Sequence, residues 1–285
     1  MTARLLDGRD VASHLRRDLG HRVERLTDAS PEGSPPCLAI LRDGANEAAG
    51  LYAASLERAA RSIGVATQLA VAADEPLDGV IERLNLDPRV TGIVIAQPFT
   101  NVAAGRRLVE LIDPSKDVDG ATPTNAGRLA RGEPAFVPAT ALAVIALLEA
   151  YDVEVAGQRA VIVGRSAVVG RPVASLLLAR DATVIVCHRA TRHIARETRR
   201  AEILVAAAGS PQLIGPEMVN RSAVVVDCGI NSVEGRIVGD VAFESVAPVV
   251  RAITPVPGGV GPVTPMMVLR QTVETAERSL PPPTR

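Results

Sequence analysis

Apolar residues in the first half of the chain recur with two spacings, and each spacing predicts a type of element. Residues 8–27 carry Val11, Leu15, Leu19 and Val23 about one turn apart, which is typical of an amphipathic helix with one buried face. Short unbroken apolar runs are instead typical of strands covered on both faces. By these criteria we predict strands at 37–41, about 65–71 and 90–96, and further helices at 51–64, 77–86 and about 101–112.

The helix at 51–64 carries start and stop signals. Asn46 can cap its beginning, and Gly64 stands where a left-handed residue is expected after a helix. Tyr52 and Leu56 lie about one turn apart on one face of this helix. This face either packs against the core or lines a site, and the helical pattern by itself leaves both interpretations open.

A long polar segment separates this half from a second alternating region. Residues 113–138 are rich in Pro, Gly, Asp and Thr, and we predict a functional loop there, since loops of this length inside domains usually serve a function. Helix 139–151 then begins the second region, and residues 281–285 form a predicted disordered tail. The remaining predictions are strands at 159–164, 182–187, 202–209 and 223–229 and helices at 171–180 and 264–279.

This alternation of strands and helices predicts the fold class. We expect an α/β protein with two α/β domains that meet near residue 139, each built on a mostly parallel sheet. Helix 139–151 and the C-terminal helix are predicted to bridge the two domains. A chain of 285 residues is long enough for two such cores.

Composition excludes several classes of function. The net charge is −1, 22% of residues are charged and aromatic residues make up 2%, so we expect no nucleic-acid partner. No apolar run reaches the ~18–20 residues of a membrane span, and the charged N-terminus lacks a signal-peptide core. Three scattered cysteines favour free thiols in a reducing cytoplasm. The four histidines lack the spacing of metal ligands, so no metal is expected.

The segment VIVGRSAVVGRP (161–172) indicates a nucleotide-binding turn. It follows a predicted strand and opens a helix, as the phosphate-binding turn of a Rossmann-type domain does. Gly164 permits a tight turn, Gly170 lets the helix approach the sheet, and the helix N-terminus can receive pyrophosphate. Ser166 occupies the position of the second motif glycine, and the last glycine is one residue late, so a plain strand–helix turn remains the alternative.

The residues after the next strand predict NADP rather than NAD as the cofactor. An acidic residue is expected there in an NAD-binding protein, but the chain reads Cys187-His188-Arg189, followed by Arg192. Together with Arg165 in the turn, these arginines suit a 2′-phosphate. The alternative is that they are ordinary surface arginines in a chain whose 31 basic residues include a single lysine, Lys116.

Further segments connect the chain with a known family. PSKDVDG (114–120), VGRSAVVGRP (163–172) and ITPVPGGVGPVT (253–264) resemble signatures of methylenetetrahydrofolate dehydrogenase/cyclohydrolase. LLDGRDVA near the start and VVDCGIN…GRIVGDV (225–241) resemble that family too, so the similarity covers approximately residues 4–280. The Pro-Gly-Gly-Val-Gly-Pro string is highly specific for the family.

The resemblance implies an activity and a domain plan. Enzymes of this family oxidise 5,10-methylenetetrahydrofolate to the methenyl form and hydrolyse that product to 10-formyltetrahydrofolate. A folate-binding catalytic domain at 1–138 and an NADP-binding Rossmann domain at 139–263 are expected to enclose a cleft, and the helix at 264–280 returns to the first domain. A homodimer through the Rossmann domain is implied as well.

The resemblance also assigns site residues. Asp119 corresponds to the carboxylate that binds the pterin, and Tyr52 to the tyrosine that stacks near the substrate. The segment Pro257, Gly258 and Gly259 lies along the cleft by the same comparison. The cofactor-binding residues are expected to be Gly164, Arg165, Ser166, Val169, Gly170, Arg189 and Ile230.

Two positions depart from the family pattern. The family helix reads Tyr-x-x-x-Lys, and its lysine handles the proton chemistry, whereas this chain has Leu56 there. Ala96 stands where the family strand has a glutamine beside that lysine. Gln97 comes one residue later and should therefore point to the opposite face. The family segment Pro-Cys-Thr-Pro is also altered, to Pro-Ala-Thr-Ala at 138–141.

These departures affect the two reactions unequally. Hydride transfer is driven by the nitrogen lone pairs that flank the methylene carbon and mainly needs a correctly placed nicotinamide. Hydrolysis needs positioned acid–base groups, which contribute roughly 10²–10⁴-fold. Leu56 cannot transfer a proton. Arg58 lies off the Tyr52 face, and arginine is a poor general base because it is effectively never deprotonated. Lys116 belongs to the family's own loop.

We therefore predict an NADP-dependent dehydrogenase for a tetrahydrofolate derivative, with lost or weak cyclohydrolase activity. Two alternatives remain open at this point. One is a non-catalytic paralogue that binds NADP or folate, and the other is an enzyme that uses the more apolar pocket at Leu56 and Ala96 for a different substrate.

Overall fold

The computed structural model describes residues 3–30, 32–72 and 76–279, and these form two compact units. Unit 1 is drawn from the described residues of 1–12, 129–133 and 138–264, and unit 2 from those of 13–128, 134–137 and 265–285. The last residue of the predicted C-terminal helix, Leu280, and the predicted disordered tail lie outside the described residues.

The secondary-structure elements of the described residues are as follows. They are, in chain order, β1 (Arg4–Leu5), α1 (Gly8–Ala29), β2 (Cys37–Arg42), α2 (Glu47–Arg61), β3 (Ala66–Val71), α3 (Leu77–Leu86), β4 (Gly92–Ala96), α4 (Val102–Leu111), α5 (Pro123–Ala130), α6 (Ala139–Ala150), β5 (Arg159–Val163), α7 (Gly170–Leu178), β6 (Thr183–Cys187), α8 (Ile194–Thr198), β7 (Ile203–Ala206), a 3-10 turn (Pro216–Met218), β8 (Val224–Asp227), β9 (Asn231–Val233), β10 (Arg236–Val238), α9 (Phe243–Val246), β11 (Ala252–Ile253) and α10 (Val260–Ser279).

Both units are built on parallel sheets, which confirms the predicted fold class. Over the described residues, unit 2 contains a three-stranded sheet in the order β3-β2-β4. Unit 1 contains a six-stranded sheet in the order β1-β11-β8-β7-β5-β6, and each adjacent pair in it is parallel. Strand order reverses at β5, since β6 lies on one side of it and β7 on the other, which marks the point where such sheets bind ligands.

The register of the six-stranded sheet brings four strand ends to one edge. Val163 of β5 pairs with Cys187 of β6 and with Ala206 of β7, and Ala206 in turn pairs with Asp227 of β8. The residues that directly follow these strands therefore share the carboxyl edge of the sheet. The apolar runs of β5, β7 and β8 are buried, as expected for strands covered on both faces. β6 lies at the edge of the sheet and is only partly buried, so the expectation is wrong for this strand.

The signals at the ends of α2 act as the sequence predicts, although the helix begins earlier, at Glu47. The Asn46 side chain accepts a hydrogen bond from the Ala49 amide at 3.1 Å. Gly64 has a φ of +83°, and the Val65 amide behind it donates to the Ala60 carbonyl at 3.1 Å, which closes the helix in the manner of a Schellman motif.

The polar segment 113–138 is not the continuous loop that we predict from its composition. Helix α5 begins at Pro123 within it, and the Thr122 hydroxyl accepts a hydrogen bond from the Asn125 amide at 3.3 Å. Threonine as the cap and proline in the first turn are helix-start signals. The prediction of a continuous loop is wrong here because it rests on the composition of the whole segment and not on these local signals.

Other differences concern short or proline-containing elements. Helix α10 begins at Val260 rather than at residue 264, with prolines in and after its first turn. The sequence pattern also missed the two-residue strand β1, the β9–β10 hairpin and the short helices α8 and α9. These elements are too short to show a period of their own.

Candidate functional site

Tyr52 on α2 is electrostatically linked with Asp119 in unit 2. Tyr52 is half-buried, and burial raises the pKa of its hydroxyl well above the usual value of 10, with a further contribution from the Asp119 carboxylate. The phenol therefore stays protonated at neutral pH and can donate a hydrogen bond or stack, but it cannot act as a base. The structure thus brings together two of the residues that the sequence assigns to the substrate.

Leu56, one turn after Tyr52, belongs to the core of unit 2. Its exposed fraction is 0%, and it is one of the largest fully buried side chains of the described residues. Ala96, at the end of β4, is also 0% exposed and pairs with Arg42 of β2. Neither side chain carries a group that can transfer a proton.

Gln97 does not share the buried environment of Ala96. Its side chain is exposed, whereas Ala96 beside it is buried. The Gln97 side-chain oxygen accepts a hydrogen bond from the Phe99 amide at 3.2 Å, so it stabilises the turn that follows β4.

A buried carboxylate that the sequence reasoning missed holds the Asp119 loop. Asp117 is 0% exposed and accepts hydrogen bonds from the Ala121 amide at 3.0 Å, the Thr122 amide at 2.8 Å and the Asn125 side chain at 2.9 Å. The motif Lys-Asp-Val-Asp-Gly contains two aspartates, but it does not show which of them is buried. Asp117 fixes the backbone on which Asp119 is carried.

Contacts from distant segments complete this loop. Gly120 has a φ of +58°, and a Cβ there would lie 2.5 Å from the Phe136 carbonyl oxygen, so only glycine fits. Gln271 of α10 donates to the Val118 carbonyl at 2.7 Å and to the Val137 carbonyl at 2.9 Å. The segments around residues 118 and 137 are therefore tied together by one amide side chain.

Lys116 is bound to backbone carbonyls within unit 2. Its ammonium group donates to the Leu84 carbonyl at 2.9 Å and to the Asp87 carbonyl at 2.7 Å, at the end of α3. Burial lowers its pKa, and the Asp87 and Asp113 carboxylates partly offset that shift. These bonds assign Lys116 to the end of a helix, which argues against Lys116 as a substitute for the family lysine.

In the glycine turn of unit 1, the backbone at Gly164 and Gly170 lies very close to neighbouring backbone atoms. Gly164 has a φ of +127°, and a Cβ there would lie 2.0 Å from the Ala207 carbonyl oxygen. A Cβ on Gly170 would lie 2.2 Å from the Gly164 carbonyl oxygen. The Ser166 hydroxyl accepts hydrogen bonds from the Val169 amide at 3.1 Å and from the Gly170 amide at 3.4 Å, so it caps the first turn of α7.

The other residues that we predict to bind the cofactor lie at the same sheet edge. Arg165 follows β5, Arg189 follows β6, and the Gly164 amide donates to the Cys187 carbonyl at 2.8 Å, which ties the two strand ends together. Both arginines are exposed, and Ile230, after β8, is 72% exposed. This edge therefore presents two guanidinium groups and an apolar side chain beside the point where strand order reverses.

The Pro257-Gly258-Gly259 segment packs against the N-terminal motif within unit 1. The Gly8 amide donates to the Gly258 carbonyl at 2.8 Å, and a Cβ on Gly8 would lie 1.7 Å from the Gly259 carbonyl oxygen. Gly258 has a φ of +122° and lies against the Arg9 guanidinium. Only glycine therefore fits at position 8, where the Leu-Asp-Gly-Arg segment meets the Gly258-Gly259 pair.

Unit 2 also has an open groove of about 700 Å³ beyond the ends of β2 and β4. It includes Asp43, whose carboxylate accepts a hydrogen bond from the Thr100 amide at 2.6 Å. Its lining residues are Asp43, Ala72, Pro76, Leu77, Asp78, Phe99, Thr100, Asn101, Ala103, Ala104, Arg107 and Leu108.

The described parts of the chain contain neither a cluster of metal ligands nor a helix that could span a membrane. In residues 3–30, 32–72 and 76–279, no three His, Cys, Asp or Glu side chains are grouped so that they could hold a metal ion. Within the same ranges, every helix is too short or too polar to cross a membrane.

Comparison with known families gives a match over most of the chain. The model of the tetrahydrofolate dehydrogenase/cyclohydrolase catalytic domain matches residues 6–119, and the model of the NAD(P)-binding domain of the same enzymes matches residues 138–280. The bifunctional protein FolD of Parafrankia sp. is 45% identical over 275 residues, which are 96% of this chain and 99% of that protein.

Solved structures give the same result. Bifunctional FolD methylenetetrahydrofolate dehydrogenase/cyclohydrolase from Campylobacter jejuni aligns with a TM-score of 0.92 at 38% identity, over 98% of this chain and 100% of that one. The Trypanosoma brucei FolD enzyme, crystallised with NADP cofactor and an inhibitor, aligns with a TM-score of 0.92 at 35% identity, over 98% of this chain and 99% of that one.

Proposed function

Because the chain belongs to the tetrahydrofolate dehydrogenase/cyclohydrolase family, we propose that it is an NADP-dependent 5,10-methylenetetrahydrofolate dehydrogenase whose methenyltetrahydrofolate cyclohydrolase activity is lost or weak. The observation that carries the proposal is the pair Leu56 and Ala96. These two buried apolar residues stand at the positions where the family pattern has a lysine and a glutamine.

The cofactor part of the proposal rests on the glycine turn and the arginines beside it. Gly164 and Gly170 leave no room for a Cβ, so the turn and the start of α7 pack closely together, as the first and last glycines of a dinucleotide-binding turn do. Arg165 and Arg189 supply positive charge for a 2′-phosphate at the edge of the same sheet. When bound, NADP⁺ supplies the hydride acceptor.

The folate part rests on Asp119 and Tyr52. We assign Asp119 to the pterin as a hydrogen-bond acceptor, and its loop is held by the buried Asp117 carboxylate. Tyr52 remains a neutral phenol because its pKa is raised, and we assign it to stacking beside the substrate. Oxidation of the methylene carbon needs orientation and not a base, so these residues suffice for the dehydrogenase step.

Hydrolysis of the methenyl bridge makes a further demand. Water must lose a proton as it attacks, and a ring nitrogen must gain one as the carbon–nitrogen bond breaks. Leu56 and Ala96 can transfer neither proton, Tyr52 is protonated and Lys116 donates to two backbone carbonyls. Without positioned acid–base groups, we expect the hydrolysis rate to fall by about 10²–10⁴-fold relative to that of a bifunctional enzyme.

The assay that tests the proposal measures the two steps separately. The purified protein is incubated with methylenetetrahydrofolate and with NADP⁺ or NAD⁺, and absorbance is followed at wavelengths that distinguish NADPH from the methenyl product. Methenyltetrahydrofolate is then supplied alone and its decay compared with the buffer rate. We expect NADP⁺-dependent oxidation and a decay that stays at the buffer rate.

A double-mutant cycle tests the cause. Leu56→Lys alone is expected to restore little hydrolysis, because burial lowers the pKa of the new ammonium and residue 96 offers it no partner. Leu56→Lys with Ala96→Gln should restore more than the sum of the single variants, since the two groups act together. Leu56→Met with Ala96→Gln is the matched control, because it keeps the apolar character and volume at position 56 without an amine.

Two outcomes contradict the proposal. Hydrolysis by the parent protein well above the buffer rate would show that another group replaces the lysine. Failure of the parent to oxidise methylenetetrahydrofolate with either cofactor would instead favour a different substrate or a non-catalytic binding role.

Three further expectations belong to the same proposal. We propose that residues 1–138, 139–263 and 264–280 act as the folate domain, the NADP domain and a returning helix. We also propose a homodimer through the NADP domain, which light scattering after size-exclusion chromatography tests by a mass of twice 29.8 kDa. A cytoplasmic location is proposed from the cysteine pattern, and fractionation of cells that express the protein tests it.

A further inference from the structure

Two buried carboxylates lie behind the edge of the six-stranded sheet where the cofactor residues are grouped. Asp227 is the last residue of β8, and Asp240 follows the β9–β10 hairpin. Their exposed fractions are 3% and 0%. Neither residue is needed for the proposed chemistry, and a buried carboxylate is costly unless hydrogen bonds satisfy it, so their bonding partners are informative.

Asp240 binds the backbone of the loop after β7, residues 207–210. This loop contains no residue that the sequence analysis or the proposed function assigns to the site. Its carboxylate accepts hydrogen bonds from three successive amides, those of Ala208 at 2.6 Å, Gly209 at 2.9 Å and Ser210 at 2.9 Å. A fourth bond comes from the Asn231 side chain at 2.9 Å. One carboxylate therefore gathers the loop after β7 and the start of the hairpin after β8.

That loop adjoins the glycine turn directly. Ala207, the residue before the three amides, is the one whose carbonyl oxygen would lie 2.0 Å from a Cβ on Gly164. β7 and β5 are neighbours, and the strand order of the sheet reverses between them. Displacement of the 207–210 loop would therefore change the space beside Gly164 at the place where open α/β sheets bind ligands.

Asp227 fixes Asp240 in turn. It accepts hydrogen bonds from the Asp240 amide at 3.0 Å, the Val241 amide at 2.9 Å and the Gly229 amide at 2.8 Å. A Cβ on Gly239 would lie 1.9 Å from the Asp227 carboxylate, so glycine is needed there for the chain to pass. The loops after β7 and β8 are thus held by two linked carboxylates.

We propose that Asp240 is a positioning residue for the dinucleotide cofactor, because it holds the 207–210 loop against the glycine turn. The inference rests on the proposed function for the identity of that cofactor. It predicts that the loss of the Asp240 carboxylate weakens binding of NADP⁺ and leaves folate binding in place. A displacement of about 1 Å in such a loop can change a rate or an affinity by about 10- to 100-fold.

Asp240→Asn tests this, with Asp117→Asn as the matched control. Both changes replace a fully buried carboxylate that accepts several amide hydrogen bonds, so both should lower stability to a similar degree. Calorimetry with NADP⁺ and separately with tetrahydrofolate is expected to show opposite effects. Asp240→Asn should raise the Kd for NADP⁺ about 10- to 100-fold with the folate Kd unchanged, and Asp117→Asn should do the reverse.

A second measurement covers the case in which Asp240→Asn does not fold. In the parent protein, the amides of Ala208 and Gly209 belong to exposed residues, yet the inference predicts slow hydrogen exchange at both. Asn231→Ala, which keeps the carboxylate and removes one donor, should speed that exchange and weaken NADP⁺ binding by a smaller factor.

The outcomes separate the inference from the proposed function. A parent that fails to bind NADP⁺ contradicts the proposed function, and the inference with it. A parent that binds NADP⁺ while Asp240→Asn binds it equally well overturns the inference alone. The inference is also overturned if Asp240→Asn loses NADP⁺ and folate binding equally, because a general loss of stability would then explain the result. Unprotected amides at 208 and 209 in the parent overturn it too, because Asp240 would then not hold this loop.

Discussion

Gly164→Ala is the perturbation that tests most directly whether the turn after β5 binds the cofactor. The substitution adds one methyl group at the first glycine of the turn. In the structure this methyl would lie 2.0 Å from the Ala207 carbonyl oxygen and 2.5 Å from its carbon, and the backbone at Gly164 has a φ of +127°.

The magnitude follows from two separate costs. A non-glycine residue held at that φ costs about 1–3 kcal/mol, and a methyl group forced into a closely packed contact costs about 1–3 kcal/mol. The free energy of unfolding should therefore fall by about 2–6 kcal/mol. To restore ordinary contact, the chain must move by roughly 1 Å, and such a shift at a binding turn weakens binding by up to about 100-fold.

Gly157→Ala is the matched control. Gly157 has a φ of +75° in the turn before β5, but a Cβ there meets nothing within 4 Å. Gly157→Ala therefore places alanine at a positive φ without a close contact. The free energy of unfolding should fall by about 1–2 kcal/mol, and NADP⁺ should bind normally.

The assay combines urea unfolding of each variant with calorimetric titration of NADP⁺. Binding of NADP⁺ by Gly164→Ala within about twofold of the parent would contradict a role of this turn in cofactor binding. An unfolding free energy equal to that of Gly157→Ala would contradict the expected cost, because the contact with Ala207 would then be without consequence.

Three other predictions concern the charged residues. Arg189→Asp should reverse the preference for NADP⁺ over NAD⁺, measured as the ratio of the two kcat/KM values, and equal affinities in the parent would count against it. Asp119→Ala should abolish folate binding in calorimetry while NADP⁺ binding survives, because an acceptor for the pterin is lost. Burial, together with the neighbouring Asp240 charge, raises the pKa of Asp227 to about 6. The folded protein therefore binds this proton more tightly than the unfolded chain does. The resulting stabilisation is fully present below about pH 4 and is lost as pH rises through about 6. The unfolding free energy of the parent minus that of Asp227→Asn should thus fall by up to about 3 kcal/mol between pH 4 and pH 7, and a difference that does not change with pH would contradict this.

Local patterns in the sequence were sufficient for the fold class and for most helices and strands. Continuous apolar runs predict strands that are buried on both faces, and β5, β7 and β8 are of this kind. The run that forms β6 lies at the edge of the sheet and is only partly buried. Asn46 and Gly64 mark the ends of α2 because caps act within a few residues. Segment 113–138 shows the opposite case, since its composition favoured a loop although Thr122 and Pro123 begin a helix.

Short motifs predict the residues of the candidate site, but they do not predict the hydrogen-bond partners of those residues. Glycines at 164 and 170 can be identified from the sequence, because close backbone approach restricts those positions to one residue type. The same motifs could not show that Lys116 donates to the Leu84 and Asp87 carbonyls or that Leu56 is fully buried.

Local sequence patterns predict two parallel α/β units, which the structure confirms, and a nucleotide-binding turn, which stays a prediction. The three-dimensional structure was needed to show that Asp117 and Asp240 each accept hydrogen bonds from several backbone amides, and that Gly8 packs against Gly259. The physical reason is range. Periodicity, capping and turn chemistry act over a few residues. The partners of a buried carboxylate or of a closely packed glycine instead lie in chain segments that are far apart in the sequence and meet only in the folded protein.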